Sequence, residues 1–122
     1  MTGKRIVTID IPAPCDFLNS NQRIHRMAQA KLTKTWRAAA ANAAADIAPL
    51  NPPVHITAHI WKPRGGRYDP NNLWPTIKAA VDGLVDAGLL TDDDHTRVIG
   101  PDMRHGGKGP ARIIIQITER LP

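Results

Sequence analysis

The stretch RYDPNNLWPTIKAAVDGLVDAGLLTDDDHTRV, residues 67–98, decides how the rest of the chain is read. At about 100° per residue, Leu73, Ile77, Ala80, Val81 and Leu84 fall on one narrow stripe, the pattern of an amphipathic helix laid on a sheet. Asn71 and Asn72 are residue types that cap helix N-termini. Pro75 is tolerated in a first turn, and Gly88, just past Ala87, supplies the stop. The opposite stripe carries Asn71, Pro75, Lys78 and Asp82, and for Lys78 and Asp82 taken alone a solvated face is the better account. Past the helix, residues 91–95 form an acidic loop. A helix of this length is roughly 24 Å long. Asp69 at its entrance and Asp93 beyond its end can therefore meet only if the loop after Gly88 runs back along the helix or a neighbouring strand delivers it.

Working outward, residues 5–11 (RIVTIDI) and 54–61 (VHITAHIW) alternate apolar and polar in the strand period. Pro12 and Pro14 close the first strand, and an Asn- and Ser-rich loop follows over 16–22. Residues 26–48 are alanine-rich with Leu32, Trp36 and Ile47, which favours a long helix; Pro49, Pro52 and Pro53 terminate it. PRGGRY, residues 63–68, reads as a flexible basic loop. Residues 97–103 and 112–118 (RIIIQIT) read as two more strands joined by the turn HGGKG. The order is β-α-β-α-β-β, an α/β (α+β) fold in which a small mixed sheet is covered by two helices. With 122 residues the whole chain, 1–122, is expected to be one domain with a real core.

The single cysteine, Cys15, rules out an internal disulfide framework and fits a reducing, cytoplasmic setting. No stretch approaches the roughly 20 apolar residues needed to span a bilayer. Lys4 and Arg5, followed by a short Ile/Val run, do not make a secretion signal. The net charge of +5 points to a polyanionic partner. The acidic residues are unevenly placed: of eleven, six (Asp69, Asp82, Asp86, Asp92, Asp93, Asp94) lie in the quoted stretch. Carboxylates repel phosphate, so a protein that merely coats nucleic acid has little use for such a group. A phosphodiester hydrolase does, because carboxylates hold the divalent cation that bridges enzyme and phosphate.

The run RYDPNNL followed by IKAAVDGLVDAGLLTDDDHTRVIG is similar to the RusA family of Holliday junction resolvases, particularly its phage and prophage members. The family's Asp-x-Asp-Asn-Leu element corresponds to residues 69–73. Its lysine-bearing helix corresponds to Lys78 and residues 79–84, and its Gly-x-x-x-Asp-Asp loop to residues 88–93. The resemblance spans nearly the whole chain. It implies a RusA-like fold and a homodimer that resolves four-way DNA junctions by paired symmetric nicks. It also implies dependence on Mg²⁺, for which Mn²⁺ substitutes. By position, Asp69, Asn71 and Asp93 would be metal-site residues, with Asp92 or Asp94 in support, and Lys78 would offset charge on the phosphate. Two departures stand out. The family's second aspartate is Asn71 here, whose amide oxygen ligates Mg²⁺ without charge. The spacing from Asn72 to Lys78 is also two residues longer.

Lys62, Arg64 and Arg67 flank Gly65-Gly66 just before Asp69, and Arg104, His105 and Lys108 lie in the second glycine-rich stretch. Both groups suit contact with DNA phosphates. Lys31, Lys34 and Arg37 make a stripe on the first helix, for which ordinary solvated charge is the competing account. The histidines do not form a zinc pattern: His55 and His59 share a strand face roughly 13 Å apart, and no HExxH is present. His25 lies near the Asn-rich loop and His95 beside the acidic run. Trp61 and Trp74 suit packing better than base stacking, and nothing is placed to activate Cys15. Three rival readings remain: a flap or fork nuclease using the same metal site, a non-catalytic or weakly active branched-DNA-binding protein of the same fold, and a basic structural module whose acidic cluster is accidental.

Overall fold

Alternation and helical periodicity resolve into a four-stranded mixed sheet with one face buried under two helices. The computed structural model describes residues 5–120; Lys4 lies outside them. The elements are β1 (Ile6–Pro12), α1 (Arg26–Ala43), β2 (Val54–Lys62), a 3₁₀ turn (Pro70–Leu73) running into α2 (Trp74–Asp86), β3 (Val98–Lys108) and β4 (Arg112–Glu119). This is the predicted β-α-β-α-β-β order and α+β class. Among the described residues, no helix is long and apolar enough to cross a membrane.

The strand order is β1-β4-β2-β3, with β4 antiparallel to both neighbours and β3 parallel to β2. Successive side chains along a strand point to opposite faces, so register fixes which residues share the core. Ile9, Ile115 and Ala58 form one cross-strand row, and Ile11, Ile113 and Ile60 form the next. All six are buried, whereas His55, Thr57, His59 and Trp61 on the other face of β2 are only partly so. Leu73, Ile77, Ala80, Val81 and Leu84 are all buried against this layer, as their periodicity requires.

The first helix stops at Ala43, short of residue 48. Ala44 turns the chain by bonding back to the Ala40 and Ala41 carbonyls at 3.1 and 3.3 Å. Ala44 and Leu50 are then drawn into the core, and this burial overrides the helix preference of the alanine run. The glycine-rich stretch HGGKG is also not a turn. β3 continues through Lys108, and β2 lies between β3 and β4, so these last two strands do not form a hairpin. The glycines admit the Trp61 indole: a Cβ at Gly106 would lie 2.5 Å from Trp61 Nε1, and one at Gly107 2.6 Å from Cζ3. The short link that follows crosses the end of β2, where the Gly109 amide donates to the Lys62 carbonyl at 2.9 Å.

The two helices touch backbone to backbone at Gly83. A Cβ there would collide with the Arg37 carbonyl oxygen and lie 2.9 Å from the Ala40 Cβ. In an exposed helix, replacing glycine by alanine stabilises by roughly 0.5–1 kcal/mol. At Gly83 the sign should reverse, because overpacking costs about 1–3 kcal/mol and the obstacle is main chain. Urea denaturation of Gly83→Ala should show a lower midpoint with an unchanged slope.

Candidate functional site

The entrance to α2 is built by Asp69. In extended conformation, its Oδ1 accepts the Asn71 amide at 2.9 Å, and Pro70 occupies the first position of the 3₁₀ turn. The cap is therefore Asp69 rather than Asn71 or Asn72. A proline at N1 needs no amide partner and presets φ, which moves the start upstream of the asparagines. α2 itself begins at Trp74 without a side-chain cap. The Asn-rich loop is stitched to this entrance. Ser20 N donates to the Asn72 carbonyl at 2.8 Å, and the buried Thr76 hydroxyl accepts from Leu18 N at 2.7 Å and donates to Leu18 O at 2.8 Å.

At the other end, Gly88 has φ +81°, a left-handed conformation that costs glycine little. The chain then doubles back. Leu89 and Leu90 are buried, and their amides both donate to the Leu84 carbonyl, at 3.1 and 3.5 Å. The loop thus runs back along α2, which is one of the two routes that the separation of Asp69 and Asp93 left open. It brings Asp93 onto Lys78. Lys78 Nζ donates to Asp93 Oδ2 and, at 2.9 Å, to Asp82 Oδ1 one turn along its own helix. Lys78 and Asp82 are therefore not simply a solvated face: they join Asp93 in a half-buried ion triad. Trp74, Val81, Val98 and Pro101 complete a groove around Lys78 and Asp93.

The hydrogen bond to Asp93, followed by that to Asp82, holds the Lys78 ammonium above its ordinary range against a smaller opposing effect of burial. The bond from Lys78 in turn holds the Asp93 carboxyl below the usual carboxylate range.

The remaining carboxylates in the expected metal set have separate local partners. Asp92 Oδ1 accepts the Asp93 amide at 2.8 Å. Asp94 takes the Thr96 hydroxyl and amide and the Arg97 guanidinium, and its carboxyl is lowered chiefly by Thr96. Asp69 caps the 3₁₀ turn. Among the described residues, no three His, Cys, Asp or Glu side chains gather so as to hold a metal ion. Asp69, Asp92, Asp93 and Asp94 thus do not assemble into one cage.

The basic residues divide differently. Tyr68 and His105 join the 63–68 loop to β3 through a 2.6 Å contact between the Tyr68 hydroxyl and His105 Nδ1. Lys62, whose ammonium stands 4.3 Å from the Tyr68 ring centre, and exposed Arg64 and Arg67 lie around this link, whereas Arg104 pairs with His59 on the face of the sheet turned away from the helices. Lys62 and Lys108 are register partners. Arg37 is not a free cation of the α1 stripe: it holds Asp86 through two bonds of 2.5 and 2.8 Å.

Elsewhere, His55 pairs with Asp102 at 2.7 Å, and His25 Nδ1 accepts the Met27 amide at the start of α1. Trp61 packs on glycines beneath the Arg112 guanidinium, 4.9 Å from the ring centre. Burial pushes the Cys15 thiol up, away from the reactive thiolate. Sequence reasoning left Asp82 outside the site and missed the Tyr68–His105 link. The four-residue spacing of Lys78 and Asp82 was a signal for the first; the second joins segments 37 residues apart, and no local pattern announces it. No protein-family model and no curated protein sequence matches the chain.

The Lys78–Asp93 bond has a definite pH signature. Asp93's lowered pKa contributes stability present at neutral pH and lost as pH falls through that lowered value. Lys78's raised pKa contributes stability lost only as pH rises through a value above the ordinary lysine range. Carboxyl NMR should therefore place the Asp93 midpoint below that of an exposed aspartate, and Lys78→Met should return it upward. With both groups partly exposed, the stability change should be small, on the order of 0.5 kcal/mol.

Proposed function

We propose that this chain is a structure-specific endodeoxyribonuclease that acts on four-way DNA junctions as a homodimer. The observation that carries the reading is the return of the acidic loop onto α2, where Asp93 meets Lys78. These are two of the residues that the RusA resemblance matches, and they are fifteen positions apart in sequence. The basic 63–68 loop leads directly into the α2 entrance and carries cations suited to a sugar–phosphate backbone. Paired symmetric nicks require two sites related by symmetry, hence a two-fold dimer.

The resemblance also calls for Mg²⁺. In kind the donors suit a hard cation, which takes carboxylate oxygens, waters and substrate phosphate. Among the described residues no three gather, so one or two carboxylates with waters and the substrate phosphate would have to complete the ion's coordination; the ammonium of Lys78 bonds both Asp82 and Asp93. The contribution that follows from this chain's own geometry is electrostatic. Lys78 is tethered on two sides yet 45% exposed, so it can bond an incoming phosphate oxygen and offset negative charge there.

The donor shortfall, together with Asn71 in place of an aspartate, favours one second reading: a branched-DNA-binding protein of the same fold that does not cut. A synthetic four-way junction, incubated with and without Mg²⁺ or Mn²⁺ and run on native and denaturing gels, separates the two. The proposed function expects paired nicks only with the divalent ion. Asp69→Asn and Asp93→Asn should each abolish nicking while leaving junction binding intact. Binding without nicking in the unaltered protein establishes the second reading, and absence of binding overturns both. Flap, fork and linear substrates in the same assay distinguish a junction enzyme from a nuclease of other branched forms.

A further inference from the structure

One end of α1 is lightly packed. From Arg26 through Thr35 no side chain is buried, and the first buried residue of the helix is Trp36. Those ten residues make about 15 Å of helix. Helices of globular domains ordinarily bury a continuous apolar stripe. In α1 only Leu32 of the first half packs against the core; the fully buried contacts come in the second half, where Ala40 meets Gly83, and there exposed Arg37 is fastened to Asp86.

The free half carries charge of one sign. Arg26, Lys31 and Lys34 lie along it, and α1 contains no aspartate or glutamate. Among the described residues, none of these three cations is in an ion pair. A shallow groove follows the helix, lined by Arg26, Gln29, Ala30, Thr33, Lys34 and Arg37. At about 100° per residue, Arg26, Ala30, Thr33 and Lys34 share one side, so two cations flank a floor of small side chains. The arm is also continuous with the candidate site. The Asn-rich loop that leads into it is bonded to the α2 entrance through Ser20 and Asn72.

We infer that the N-terminal half of α1 is a second nucleic-acid contact, which takes the sugar–phosphate backbone of a duplex arm leading away from the branch point. The inference rests on the proposed function. Charge complementarity selects this occupant: a polyanionic backbone matches an arm whose charged side chains are all positive, with small residues that let it approach. A second copy docking arm to arm would set like charges against each other.

The test uses the full chain with Arg26→Gln and Lys34→Gln combined. Both positions are exposed, and glutamine preserves helix preference, so the thermal midpoint should not move. Affinity for a four-way junction is measured by fluorescence anisotropy over a salt series. Each backbone contact contributes about 0.9 to the slope of log affinity against log salt. The double variant should therefore lose roughly two from the magnitude of that slope and bind about tenfold or more weakly at low salt. A junction with arms trimmed too short to reach α1 should bind the unaltered and variant proteins alike. If the unaltered protein binds the junction and the variant matches it in affinity and slope, the inference is overturned while the proposed function stands. Absence of junction binding by the unaltered protein overturns the proposed function and the inference with it. If the substitutions instead abolish self-association seen by sedimentation, the arm is a protein interface and the inference is overturned.

Discussion

Two buried leucines set where Asp93 and Lys78 meet in this molecule. Leu89 and Leu90 follow the left-handed Gly88 and sink beside α2, with both amides bonded to one carbonyl of the helix they have just left. Burying such side chains contributes roughly 1.5–3 kcal/mol each, much more than any exposed ion pair in the acidic loop. The hydrophobic turn thus sets the path of the loop, and the bond between Asp93 and Lys78 is a result of it. If the chain continued straight beyond α2, Asp93 would lie past its C-terminal end, well away from Lys78 in its first half. The same leucines join the core that holds α2 in place, so the site and the interior share one set of contacts.

The fold was largely legible in the sequence because its signals are periodic. Alternation over RIIIQIT and VHITAHIW and the stripe from Leu73 to Leu84 identify strands, helix and buried faces with no knowledge of what they meet. What escaped depends on tertiary partners. The glycines before Lys108 read as a turn, because glycine serves both turns and close approaches. Only the position of Trp61 shows that a strand needs them. The alanine run promised a longer helix than burial of Ala44 and Leu50 allows.

The candidate site was legible in part. Residue types and spacing pointed to Asp69 and Asp93, the RusA resemblance added Lys78, and whether a loop returns along α2 was left open; it does. Carboxylates adjacent in sequence nevertheless became unlike groups in space. Asp92 and Asp94 satisfy amides, a hydroxyl and a guanidinium of their own loop, and Asp69 is committed to a backbone cap. Short side chains in turns find local partners readily, and a sequence cannot state whether local or distant partners prevail. Lys78 shows the converse, since a residue that periodicity assigns to the solvated face became the point where two segments meet.

The position of β4 has a consequence for how the molecule is made. It is the last strand in chain order, yet it lies between β1 and β2 and joins them. As the nascent chain leaves the ribosome, β1 and the β2–β3 pair have no common neighbour until residues 112–119 emerge. The helices can form early, but the layer they cover stays split, with its isoleucine rows uncovered. Contacts between the first and last strands span most of the sequence, a topology that slows folding. The sheet therefore cannot join before β4 is available, and until then part of the interior is uncovered.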